Sequence, residues 1–180
     1  MKQNNTFVLM AILISVMIYS FACSEKSDPP KPESKSDTSV QLPAGLFLTS
    51  APDGVKPIKQ LKESVKPGDV VVVNVIVGGR VKPIVEGRAS AMIIDVGLEN
   101  ACTAEKDHCE TPWDYCCTTH EAITANLATL QVVDNDGRVL AADLSKHFKP
   151  LSNLIVKGVV GPRPDKKVLQ INATGIYVKP

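Results

Sequence analysis

Four cysteines in the middle of the chain are the residues whose chemistry is most distinctive. Cys102, Cys109, Cys116 and Cys117 lie close together, and the last three belong to the stretch "CETPWDYCC", which also holds the single tryptophan. Thiols can form disulfides, ligate soft metals or carry out redox exchange. The chain has no Cys-x-x-Cys pair. The spacing therefore indicates neither a thioredoxin-type redox centre nor the paired knuckles of a structural zinc site.

The compartment decides between these uses, and the N-terminus predicts export. The apolar run at residues 7–22 is short for a membrane helix, which needs about 20 residues, and residues 1–22 fit a secretory signal peptide. "SFAC" is similar to a bacterial lipobox, so we expect Cys23 to be the lipid-modified first residue of the mature chain. An uncleaved signal anchor is one alternative. Ordinary cleavage that leaves Cys23 free is the other.

The segment after Cys23 predicts a flexible tether. Residues 23–45 are rich in proline, serine and lysine and contain almost no large apolar side chain before Val40. Such a segment cannot bury enough surface to fold. We therefore expect a lipoprotein anchored to a membrane of the cell envelope, facing the periplasm or the exterior, with its folded domain at residues 46–180.

In that compartment the cysteines predict disulfides. If Cys23 carries lipid, four cysteines remain and can pair completely, and thiols outside the cytoplasm oxidise. A bond between adjacent Cys116 and Cys117 would be strained, so we expect each to pair with Cys102 or Cys109, in an order that stays open. Each bridge would stabilise the fold by roughly 2–4 kcal/mol. Trp113 and Tyr115 would then form an apolar plug in the loop.

The alternative is a metal or thiol-redox site in the same loop. Zinc or copper could be ligated by thiolates and imidazoles among the residues Cys102, His108, Cys109, Cys116, Cys117 and His120. An acidic surround would attract a cation, since residues 97–121 contain the acids Glu99, Glu105, Asp107, Glu110, Asp114 and Glu121 against one Lys. Under the disulfide prediction we expect no cofactor.

Residues 46–180 predict a small all-β domain. "IKQLKESV" has apolar residues at helical spacing, whereas runs rich in β-branched residues, separated by Gly-Gly and Asp-Gly turns, predict strands. The helix is expected at residues 58–65, and the strand segments at 70–77, 87–96, 127–133, 138–144, 152–163 and 167–180. Short strands with one long excursion after the second indicate a five-stranded OB-fold-like Greek-key barrel with a long disulfide-bonded loop and a short N-terminal helix. An immunoglobulin-like sandwich is the alternative.

Several stretches resemble a group of uncharacterised envelope lipoproteins of planctomycetes and related bacteria. They are "PGDVVVVNVIVGGRVKPIVEGRASAMIIDVGLENAC", "TPWDYCC", "LQVVDNDGRVL" and "TGIYV", and they cover nearly the whole predicted domain. "TPWDYCC" is the most specific of them. The resemblance implies an envelope address and an OB-fold-like barrel, but it brings no activity.

The sequence favours a non-enzymatic binding or structural module. It lacks a nucleophile elbow, a phosphate loop, an HExxH motif and a dinucleotide fingerprint. The formal net charge is +1, and no aromatic residue lies among the basic residues between positions 53 and 88, so nucleic acid is not an expected partner. The expected partners are the membrane, through the lipid anchor, and an envelope polymer, a small ligand or another protein.

Overall fold

The computed structural model describes residues 40–103 and 109–180. The predicted signal peptide, Cys23, residues 24–39 of the predicted tether and His108 lie outside the described residues. Five strands, β1 (Val70–Val77), β2 (Ser90–Asp95), β3 (Leu127–Gln131), β4 (Asn153–Val160) and β5 (Gln170–Val178), close into a barrel in the order β1-β2-β3-β5-β4. Among these five strands, β3 and β5 pair in parallel and the other neighbours pair antiparallel. The predicted all-β, OB-fold-like barrel is confirmed.

The core lies inside the barrel because the strands alternate their side chains. On β1, Val71, Val73, Val75 and Val77 are at most 5% exposed, whereas Val70 is 66% exposed. Successive side chains of a strand point to opposite faces, so one set fills the closed interior. Since β-branched residues suit a pleated and buried surface, the valine-rich run forms the strand at its predicted bounds.

Two short helices lie beside the barrel. Helix α1 (Ile58–Ser64) confirms the predicted helix, and it buries Ile58 and Leu61. Its first N–H, from Ile58, donates to a carboxylate oxygen of Asp95 at 2.7 Å, so the end of β2 holds the start of α1. Helix α2 (His120–Asn126) was not predicted. Its N-cap is Thr119, whose side chain accepts from the Ala122 N–H.

The predicted strand at residues 138–144 is wrong. A single bridge joins Val133 and Val139, and the chain then enters a 3₁₀ turn at Leu144–Lys146. Strand β3 already pairs with β2 on one side and with β5 on the other, so the barrel closes without a sixth strand.

The N-terminal side of the described chain also contacts the barrel. The Val40 N–H donates to the Ala141 carbonyl at 3.3 Å, and Leu42 packs against the core. Among the residues that the structure describes, no helix has the length and apolar character needed to cross a membrane.

Candidate metal centre in the loop between β2 and β3

The cysteines lie in the long connection between β2 and α2, which Asn100 holds together. The described part of this connection contains the 3₁₀ turns Ala101–Thr103 and Pro112–Asp114. The Asn100 amide donates to the Pro112 carbonyl at 2.8 Å, and its oxygen accepts from the Cys102 N–H at 3.0 Å. One side chain thus links the two halves of the loop, which brings cysteines from both halves to one place.

The "TPWDYCC" segment is docked on the end of β1. The Gly79 N–H donates to the Trp113 carbonyl at 2.7 Å, and a Cβ at Gly78 would lie 2.6 Å from that same oxygen. The Trp113 indole N–H donates to the Val81 carbonyl at 2.9 Å. Tyr115 is 0% exposed and has a left-handed backbone conformation with φ of 60°. Of the two aromatic residues predicted to form a plug, Tyr115 is therefore buried and Trp113 half-buried.

The sulfur atoms of the other three cysteines surround that of Cys116 at non-bonded distances. The Cys116 Sγ lies 3.4 Å from that of Cys102, 3.5 Å from that of Cys109 and 3.7 Å from that of Cys117. A disulfide joins its sulfurs at about 2.05 Å. All four cysteines are free thiols in this structure, so the predicted pairs are brought together but not closed. Cys102 is the buried member, and Cys116 and Cys117 are exposed.

The spacing of the sulfurs suits a shared metal ion better than a covalent pair. In a tetrahedral zinc site with bonds of about 2.3 Å, neighbouring sulfurs lie about 3.8 Å apart. Ligand atoms of Cys102, Cys109, Asp114 and Cys116 all lie within 4.8 Å of one another. The Asp114 carboxylate is held by the Thr111 hydroxyl and the Cys116 N–H, both at 2.9 Å. Such outer contacts orient a ligand before an ion binds.

Two of the predicted metal ligands, His120 and Cys117, are not among these four residues, and the candidate ligand Asp114 was not predicted as one. His120 lies on α2, where its Nε2 is 3.4 Å from the Thr124 hydroxyl, and it lines a separate cavity. Cys117 lies beside the four-residue group, next to Cys116. Asp114 was predicted only as part of the acidic surround. The sequence did offer one indication of this role. Asp114 lies two residues before Cys116, which is close enough for its carboxylate to accept from the Cys116 N–H.

The thiols influence one another's ionisation. Burial raises the pKa of the Cys102 thiol, but hydrogen bonds from the Cys117 N–H and from the other three thiols outweigh burial and lower it below its usual value. Contact with Cys102 raises the pKa of Cys116 and of Cys117. Burial, and then the charge of Cys102, raise the pKa of Tyr115. The surroundings therefore favour ionisation of Cys102 over that of Cys116 and Cys117, and a metal ion bound by thiolates would release thiol protons.

Comparison of the chain with protein-family models, with curated proteins and with solved structures gives no match. What the site can do therefore follows from its own geometry.

Proposed function

We propose that this protein is a non-enzymatic metal-binding lipoprotein of the bacterial cell envelope, whose loop between β2 and β3 binds Zn²⁺ or Cu⁺. The observation that carries the proposal is the cluster of three sulfurs within 3.7 Å of the Cys116 Sγ, at non-bonded distances close to those in a thiolate metal site. Exposed Cys116 and Cys117 leave one side of the cluster open to an arriving ion.

The donor set determines which ion fits. Cys102, Cys109 and Cys116 with the Asp114 carboxylate would give Zn²⁺ four ligands, and zinc accepts both sulfur and oxygen. Cu⁺ prefers sulfur alone, so it would use the same thiolates without Asp114. An Asp114→Asn variant therefore distinguishes the two ions. We expect its affinity for Zn²⁺ to be lower than that of the wild type and its affinity for Cu⁺ to be unchanged.

The envelope address rests on the N-terminal sequence. The apolar run and Cys23 support export and lipidation, and a Cys23→Ser variant should lose both lipid labelling and membrane association. If both persist in that variant, the proposed anchor is wrong.

A structural role for the loop is the second candidate, and the position of Cys116 favours it. Its Sγ lies within 3.5 Å of both Cys102 and Cys109, so a movement of about 1.4 Å would close either bond. A disulfide at Cys116 removes the thiolate at the centre of the cluster. Metal binding and a bridge at Cys116 therefore exclude each other.

The deciding experiment counts thiols and metal on the same sample. The full chain is isolated from the envelope with its thiols protected from air, and free thiols and bound metal are measured together; the reduced protein is then titrated with Zn²⁺ and with Cu⁺ against a competing chelator. We expect one ion per chain, lost in Cys116→Ser and kept in the control His120→Ala. Fully oxidised cysteines in the isolated protein, with no metal bound after reduction, would contradict the proposal and support the structural role.

A further inference from the structure

A cavity beside α2 is a second place where the protein could bind a ligand. A cavity of about 550 Å³ opens between α1, α2 and the turn that joins β4 to β5 (residues 161–169). Its charged lining consists of Lys59, Lys62, Lys166 and Lys167, together with Glu63 and Glu121. No cysteine lines it, so the site is independent of the proposed metal centre. Its volume lies in the range of small-molecule pockets.

Lys62 is the buried cation of this cavity. Its residue is 7% exposed, and its ammonium donates to the Thr124 carbonyl on α2 at 2.6 Å. Over residues 40–103 and 109–180, the ion pairs are those of Arg138 alone, so no carboxylate pairs with Lys62 there. An ammonium group has three donors, and a buried charge is normally paired. The described side chains thus leave most of its donor capacity unused.

Arg163 fixes the lysines of the turn next to Lys62. Its guanidinium donates to the carbonyl of Lys62 in α1 at 2.8 Å and to the carbonyl of Val65, the C-cap of that helix, at 2.7 Å. It also donates to the Lys166 and Val168 carbonyls of the turn at 2.7 and 3.0 Å. All four of these bonds go to backbone carbonyls and none goes to a carboxylate. Arg163 therefore contributes a positive charge beside the cavity. The site is therefore built by a structural network and is more than a chance meeting of surface side chains.

We propose that this cavity binds the phosphate group of a phosphate ester, with the Lys62 ammonium at its floor and Lys166 and Lys167 at its rim. Four lysines against two glutamates leave an excess of two positive charges in the lining, which matches a phosphate dianion. Lysine binds phosphate as a point charge with several donors. The remaining volume would hold the organic part of the ester.

The state of Lys62 supports the proposal. Burial, and then the nearby charge of Arg163, lower the pKa of Lys62 to about 8. The Asp165 carboxylate, in the same turn as Lys166, is the smallest of the three influences and raises the pKa of Lys62. An anion bound at the ammonium would act in the same direction and raise that pKa further. Binding should therefore draw a proton onto Lys62 when the solution is slightly above pH 8.

The test uses the full chain and measures binding of inorganic phosphate and of glycerol phosphate by calorimetry. We expect binding to weaken by about tenfold or more in Lys62→Met and in the exposed pair Lys166→Met/Lys167→Met. Glu121→Gln should strengthen it, since the variant removes a repulsive carboxylate from the lining. Lys149→Met, a lysine outside the cavity, serves as the control and should bind like the wild type. Thermal unfolding of each variant shows that the fold is kept.

Vesicles distinguish the source of the phosphate. Wild type and the Lys166→Met/Lys167→Met variant carry the same N-terminal segment, so a difference in their binding to phosphatidylglycerol vesicles, beyond that to phosphatidylcholine vesicles, would assign the site to a lipid headgroup. Binding of glycerol phosphate without that difference would assign it to a soluble ester. Absence of both, or equal weakening in all lysine variants including Lys149→Met, would overturn the proposal.

Discussion

At the scale of single residues, Lys62 combines burial with an unpaired charge. A buried ammonium disfavours the folded state, because the unfolded chain solvates the same charge in water. Burial and the charge of Arg163 lower the pKa of Lys62 to about 8 from 10.5. Below pH 8 the group is charged in both states and its penalty is fully present. Between pH 8 and 10.5 the folded state loses the proton first, so the penalty shrinks as the pH rises.

The first prediction follows from that sign. Between pH 8 and 10.5, the free energy of unfolding of the wild type should rise relative to that of Lys62→Met, which has no titrating group at position 62. Lys59→Met is the matched control, because it removes an exposed lysine of the same helix and keeps Lys62, so the rise that Lys62 causes should remain. Denaturant unfolding at several pH values measures this. Parallel pH profiles for wild type and Lys62→Met would contradict it.

Glycines also show how far single residues can be predicted. A turn was predicted at the Gly-Gly pair, and Gly79 has a φ of 83°, a conformation that glycine adopts readily. Gly78 is required for a different reason, since a Cβ there would meet the Trp113 carbonyl. That contact joins positions more than thirty residues apart. Local sequence can show that a turn needs glycine, but it cannot show which distant loop will approach it.

At the scale of elements, the five barrel strands were predictable, whereas the irregular course of residues 138–144 and the helix beside the candidate metal centre were not. Runs such as "VVVVNVIV" specify a strand by side-chain shape and by their flanking breakers. Helix α2 buries no residue fully and therefore shows no apolar face in its sequence. Its contact with the rest of the fold includes the bond from Lys62 to Thr124, across 62 positions. An element stabilised by such distant polar contacts leaves no periodic signal.

Arg163 connects α1 with the turn between β4 and β5, and the contribution of this connection to stability can be tested directly. Arg163→Lys should lower the free energy of unfolding by about 1–3 kcal/mol, because a lysine cannot serve four carbonyls at once and leaves part-buried acceptors unpaired. Arg138→Lys is the control. Its side chain is 75% exposed and pairs with the carboxylates of Asp134 and Asp136, so we expect a loss below about 1 kcal/mol. Urea unfolding of both variants measures the difference, and equal losses would show that the Arg163 network contributes nothing special.

At the scale of the whole molecule, the barrel core and the cysteine cluster are separate. The main core contains side chains from all five strands and from α1, but none of the four described cysteines. The loop is attached to the end of β1 through the Gly79 N–H and the Val81 carbonyl, and through the buried side chain of Tyr115 beside Gly78. A core of this composition predicts that the barrel folds without the metal ion and without disulfides. Small domains whose fold depends on a metal or on disulfides behave differently. Because the core is made of strand and helix side chains, the strand pattern was enough to predict the barrel.

The last prediction follows from that separation. Cys116→Ser should abolish metal binding while leaving the barrel folded, because exposed Cys116 contributes no buried apolar surface to the core. Amide hydrogen exchange on the metal-loaded wild type and on Cys116→Ser measures this residue by residue. Exchange should accelerate in residues 96–103 and 109–119, where the loop loses its ion, and should stay slow in β1 and β4, which pair over seven positions. Leu61→Ala is the opposite control, since it removes a core side chain and should accelerate exchange in the strands. Loss of strand protection in Cys116→Ser would show instead that the cysteine loop is part of the cooperative fold.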